Sequence, residues 1–169
     1  MRKMLPIIAL ACAAVFALAA CNQTEQSQQP AAEQAPAVVA MPTSPTDKAA
    51  WKKYLVSVVT ANMQGVKSNH PYMYFVPSGD DDATKADRAN QLDNVKNLVD
   101  RGVLPGNMMA FGGPDSATTA QLVTDAFKDV QAGAFKEVVV LFIGAQSDSD
   151  AVKQALASSG ADYRFVEAK

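Results

Sequence analysis

Three short stretches of this sequence gather aspartate with glycine, alanine and serine. They are Ser78-Gly79-Asp80-Asp81-Asp82, Gly112-Gly113-Pro114-Asp115-Ser116 and Gly144-Ala145-Gln146-Ser147-Asp148-Ser149-Asp150. Carboxylate oxygens are hard donors, and two or three converging on one point would hold Mg²⁺ or Ca²⁺. A cation held that way would serve a metal-dependent hydrolase or a phosphoryl-transfer enzyme. The candidate ligands are Asp80, Asp81, Asp82, Asp115, Ser116, Ser147 and Asp148. Aspartate and serine are also the preferred caps of helix amino ends, where they complement the helix dipole. Capping accounts for all of these residues except the run of three aspartates.

Other chemistries find less support. None of the three loops reads G-x-G-x-x-G or G-x-x-x-x-G-K-[ST], so a phosphate cradle is not expected, and three acidic loops would repel an anion. Lys85 is the only base close to these loops in sequence. His70 is the only histidine. It precedes the first strand, and crossing a six-residue strand takes about 20 Å. It is therefore badly placed to activate Ser78, Ser116 or Ser147. Asn69-His70-Pro71 reads as a turn. Trp51, Tyr54, Tyr72 and Tyr74 have helix or strand spacing, which points to core rather than to a stacking platform.

The elements that position these loops follow from periodicity. Trp51, Tyr54, Leu55, Val58, Val59 and Met63 recur at three and four residues, one face of a helix that Thr46 or Asp47 caps and Gly65 stops. Tyr72–Val76 is a short strand. Residues 83–101 form a helix ended by Gly102. Met108–Phe111 is a second strand. A helix capped by Ser116 follows, with Leu122, Val123, Ala126, Phe127 and Val130 inward and Gly133 at its close. Val138–Ile143 is six apolar residues without alternation, as in a strand buried on both faces. Ser147 and Asp150 read as a capping box for a helix ending at Gly160. Tyr163–Val166 is a last strand, at an edge. The order α-β-α-β-α-β-α-β implies a three-layer α/β/α sandwich around a small, mainly parallel four-stranded sheet. Strand order is open. Ligands of such sheets bind at the carboxyl ends of the strands, where the acidic loops lie.

Upstream of this domain the chain changes character. Arg2 and Lys3 precede an uncharged apolar run, Leu5 to Ala20. A bilayer span needs about 20 residues, so the run has the proportions of a secretory signal peptide. It ends in Leu18-Ala19-Ala20-Cys21, which resembles the lipobox of bacterial lipoproteins. The resemblance covers about the first 21 residues. It implies a diacylglycerol thioether on Cys21, cleavage before it and acylation of the new amino group, with palmitate among the usual chains. Two or three acyl chains anchor a protein stably where one does not. Asn22 stands where an aspartate would favour inner-membrane retention in enterobacterial relatives, so the resemblance implies the outer membrane, with the folded part in the periplasm.

The expected organisation is thus a leader at 1–20, a lipidated cysteine with a Gln-, Pro- and Ala-rich tether at 21–45, and a globular domain at 46–169. The tether lacks the apolar content to offset its ordering entropy. The full chain has 15 basic and 17 acidic residues, for a net charge of -2. The leader holds two bases and no acid, so its removal leaves a chain at -4. This is not the footprint of a nucleic-acid binder. Cys12 falls in the leader, so the mature chain has no disulfide and depends on its core. The expected partners are a lipid bilayer through Cys21, as the resemblance implies, and a periplasmic protein that no sequence feature names, with the chain as an accessory factor or an immunity protein against a cell-wall-targeting toxin. The expected cofactor is none, with Mg²⁺ or Ca²⁺ as the alternative.

Mass spectrometry of the native protein checks the anchor. The first peptide should begin at Cys21 and carry diacylglyceryl and acyl additions. An intact leader or an unmodified thiol contradicts it.

Overall fold

In the computed structural model, which describes residues 38–169, four helices alternate with four strands. Cys21, the leader and residues 21–37 of the tether lie outside the described residues. The elements are α1 (Lys48–Ala61), β1 (Tyr72–Phe75), α2 (Asp82–Arg101), β2 (Met108–Gly112), α3 (Ser116–Phe127), β3 (Val139–Gly144), α4 (Gln146–Leu156) and β4 (Asp162–Glu167).

All three strand pairings are parallel, and the strands lie in sequence order β1-β2-β3-β4. Each strand therefore advances in the same direction from the one before. Crossovers of one hand then place α2, α3 and α4 together on one face. The contacts agree. Met109, Phe111, Val140 and Phe142 pack in one cluster with Val95, Val99, Val123, Phe127, Val152 and Leu156. α1 precedes the first strand and is not a crossover, so it is free to cover the other face. There Trp51, Tyr54, Leu55, Val58 and Val59 meet Met108, Ala110, Val139, Leu141 and Ile143. The alternation along β2 and β3 divides the two cores between odd and even positions.

β3 is buried along its whole length, as its unbroken apolar run requires. β2 is buried likewise, Met108 and Met109 included. β4 is an edge strand and extends one residue beyond its apolar part at each end, because backbone pairing with β3 continues through Asp162 and Glu167. Close approach fixes the seams. A Cβ on Gly113 would overlap the Val76 carbonyl, so only glycine lets the chain leave β2 beside β1.

Several helix boundaries differ from the sequence reading: α1 stops at Ala61, before Met63 and Gly65, α2 starts one residue early at Asp82, and α4 stops at Leu156, before Gly160. Asp115, not Ser116, caps α3, because its carboxylate reaches the Thr118 amide and Ser116 becomes the first helical residue. α4 begins at Gln146 behind Ala145, with no side-chain cap, so Ser147 and Asp150 do not form a capping box. α3 ends at Phe127, and Val130 reaches the core from the turn that follows. Asp47 caps α1 through the Ala50 amide, and Gly102 ends α2 as expected.

Part of the stretch read as tether joins the fold. Val39 N–H donates to Ser57 Oγ at 3.0 Å, and Trp51 Nε1 donates to the Ser44 carbonyl at 3.0 Å. Residues 38–45 thus run back along the flank of α1. Among the described residues both cores draw on residues 51–168, and residues 38–169 lie within one compact unit.

Candidate functional site

The three acidic loops do share the carboxyl edge of the sheet, but Asp81, Asp115, Ser116 and Asp148 are already engaged there. Asp81 caps α2 by accepting from the Thr84 amide at 2.9 Å. Asp115 does the same for α3 through Thr118 at 2.6 Å. Hydrogen bonds from Thr84 hold the exposed Asp81 carboxyl below the ordinary carboxylate range. Thr118 does so for Asp115, with a smaller contribution from the Arg88 guanidinium. These shifts are those of capping carboxylates kept ionised at a helix amino end.

Ser116 and Asp148 meet across 32 residues of chain. Ser116 Oγ donates to Asp148 Oδ2 at 2.5 Å and accepts from the Ala145 amide at 2.6 Å. The second bond supplies the partner that α4's uncapped first turn would otherwise lack nearby. Gly144 makes room for it: a Cβ there would stand 2.6 Å from Ser116 Oγ. With its proton on a carboxylate and a lone pair on an amide, Ser116 is a staple between α3 and the β3–α4 loop. His70 lies exposed in the loop before β1, at the far end of the strands, and is no base for it. Asp80, Asp82 and Ser147 are exposed and make no side-chain hydrogen bond among the described residues. No three His, Cys, Asp or Glu side chains gather as a metal group among the described residues.

Two features of this edge escape sequence reasoning. Arg88, not Lys85, is the base that matters there: its Nη1 donates to the carbonyls of Pro77 and Gly79 at 3.2 and 2.7 Å. It ties the β1–α2 loop to its own helix. Tyr163 OH and Ser149 Oγ sit 2.9 Å apart under α4, and burial pushes the Tyr163 hydroxyl upward. Neither has a signature of spacing, since each partner is chosen by how helices settle on the sheet. The aromatic quartet is divided. Trp51 and Tyr54 are buried edge to face, Tyr74 stacks on Phe111 at 4.9 Å, and Tyr72 is exposed.

Among the described residues a concavity beside Phe75 and Pro77 lies at the carboxyl end of β1, and a larger one lies on the outer surface. It is an open groove of about 430 Å³ between α2 and α3. Leu92 and Leu122 line its floor, Arg88 and Thr118 stand toward one end, and Gln121 and Asp125 toward the other. Gln121 and Asp125 are hydrogen-bonded to each other at 2.9 Å. A sheet with strands in sequence order has no point where the winding reverses, which is where open α/β sheets form their ligand crevice.

The chain matches no known family model, no curated protein and no solved structure. No helix among the described residues is long and apolar enough to cross a membrane.

Acid unfolding of two variants separates cap from staple. Asp115 has a folded pKa below its unfolded value of about 3.9, so its stabilisation is complete above that pH. It is lost as pH falls through the folded value. Asp115→Ala should cost about 0.5–2 kcal/mol at pH 7, and the gap to wild type should close below about pH 4. Ser116→Ala should cost about 1–3 kcal/mol and keep part of its deficit in acid, because the Ala145 amide still lacks its acceptor. Chemical denaturation at a series of pH values reads both.

Proposed function

We propose that this chain is a lipoprotein of the bacterial envelope, held on the outer membrane through acylated Cys21, whose folded unit binds a periplasmic protein and does not act as an enzyme. The observation that carries the second half is the state of the carboxyl edge. Asp81 and Asp115 serve as caps, and Ser116 and Asp148 hold each other and the Ala145 amide. Four of the seven candidate ligands are spent on structure, which leaves Asp80, Asp82 and Ser147 exposed and in no metal group among the described residues. What remains offered to a partner is the outer surface, above all the groove between α2 and α3. An apolar floor with polar ends suits anchoring side chains of another protein. The first half rests on Leu18-Ala19-Ala20-Cys21 and the apolar run before it.

Capture by residues 38–169 from envelope extract tests this reading, with Ala89→Arg as the comparison. Ala89 is exposed and lines the groove, so arginine there fills it without touching the core. The expected result is one partner recovered near equal stoichiometry and lost at least about tenfold in the variant, the scale of an interface residue worth 1.4 kcal/mol. Recovery of no partner, or equal recovery by both forms, contradicts it.

A further inference from the structure

The outer face of α1 is chemically unlike the rest of this acidic chain. The helix carries Lys48, Lys52 and Lys53 and no acid. All three lysines are exposed, and none is in an ion pair among the described residues. Lys48 sits at the first helical position, where a positive charge opposes the helix dipole. The lysines thus bring the helix no local electrostatic support. Val56, half exposed, lies one turn beyond Lys52 on the same outward row. Val38, Val39 and Met41 are exposed on the strap that runs along the flank of this helix. Four of the seven exposed large apolar residues among the described ones therefore lie on α1 or beside it. Other charges near α1 are Asp47, spent as the cap, Asp87 of α2, at the rim beside Lys48 and Lys52, and, at the far end of the helix, Arg164, which is paired with Asp162 and bonded to the Asn62 carbonyl.

We infer that this face docks on an anionic lipid surface. Exposed lysines with interspersed apolar side chains are the composition that such a surface attracts. The path of the chain points to the same occupant, an argument that rests on the anchoring proposed at Cys21. The described chain begins at Val38 on this flank, and sixteen residues separate it from Cys21. They span at most about 60 Å. A bilayer holding Cys21 is then never far from this face, and a tether that short keeps the effective concentration of order millimolar. Attraction too weak to recruit a free protein is enough to orient a tethered one. Docking through α1 turns the opposite layer, with the groove between α2 and α3, away from the membrane and toward a periplasmic partner.

Co-sedimentation of residues 38–169 with vesicles tests this without any acyl chain. The vesicles are phosphatidylglycerol-containing phosphatidylcholine, compared with pure phosphatidylcholine, at millimolar lipid and low salt. Binding is expected only to the anionic vesicles and should vanish at high salt. Each lysine removed should weaken it about fivefold. The Lys52→Gln, Lys53→Gln variant should therefore bind roughly 25-fold less, while Lys85→Gln, Lys96→Gln on α2 changes it little. No binding at millimolar lipid, or equal loss in the two variants, overturns the inference. So does self-association through α1 in the absence of lipid, which would make a second copy the occupant. An unmodified Cys21 in the native protein would remove the anchor yet leave the vesicle result standing, so the two failures are distinguishable.

Discussion

Burial of β3 from both sides is the constraint on which the rest of this structure depends. Its six residues have no exposed face, so the sheet needs helices above and below. The three crossovers all fall on one side, which leaves the other side to a helix from outside the βα repeat. Among the described residues α1 is the helix that fills that role. Its inward residues Trp51, Tyr54, Leu55, Val58 and Val59 are nearly inaccessible to solvent. Replacing a buried leucine or aromatic here would cost about 2–5 kcal/mol, a large part of the 5–15 kcal/mol typical of a whole domain. The strap over residues 38–45 adds hydrogen bonds to this helix and leads the chain away along it.

The same winding governs the carboxyl edge. With strands in sequence order, loops follow one another along the sheet without the reversal at which open α/β sheets form their ligand crevice. Most of the polar groups held close to the strand ends are satisfied within the fold. Asp81 and Asp115 close helix amino ends, Arg88 binds its own loop, and Ser116 bridges to Asp148 and Ala145. An edge of this kind holds a scaffold in shape. The surfaces left free are the two outer layers, one mixed in charge around an apolar groove and one basic. A membrane on one side and a protein on the other is a division of labour that fits them.

The element order was legible because each element announces itself locally. Val138–Ile143 read as a strand buried on both faces, and the spacing from Trp51 to Met63 read as one apolar face of a helix. Asp47 was legible, beside Thr46, as a candidate cap, since a cap acts within three residues. Asp81 was not, because it lay in a run of three aspartates that capping did not account for, and it turned out to cap α2. Strand order was not, because nothing in a strand names its neighbour. Asp115 and Ser116 are both good caps, and which one serves depends on where the chain leaves β2 through Gly113. The Ser116–Asp148 bond joins residues 32 apart and exists only because Gly144 leaves space beside them. Arg88 was hidden in the middle of an amphipathic helix. The acidic loops were located correctly on the sheet edge, but periodicity could not say whether their carboxylates would meet a cation or a backbone amide.

Amide hydrogen exchange on residues 38–169 tests the central claim, that α1 and the crossover layer close over β3 as one cooperative unit. Val140, Leu141 and Phe142 should be the slowest amides and exchange only through global unfolding, with α1 amides of Leu55 and Val58 opening at the same free energy. Rapid exchange of α1 while β3 stays protected would mean that the sheet does not depend on this helix, and the account would fail.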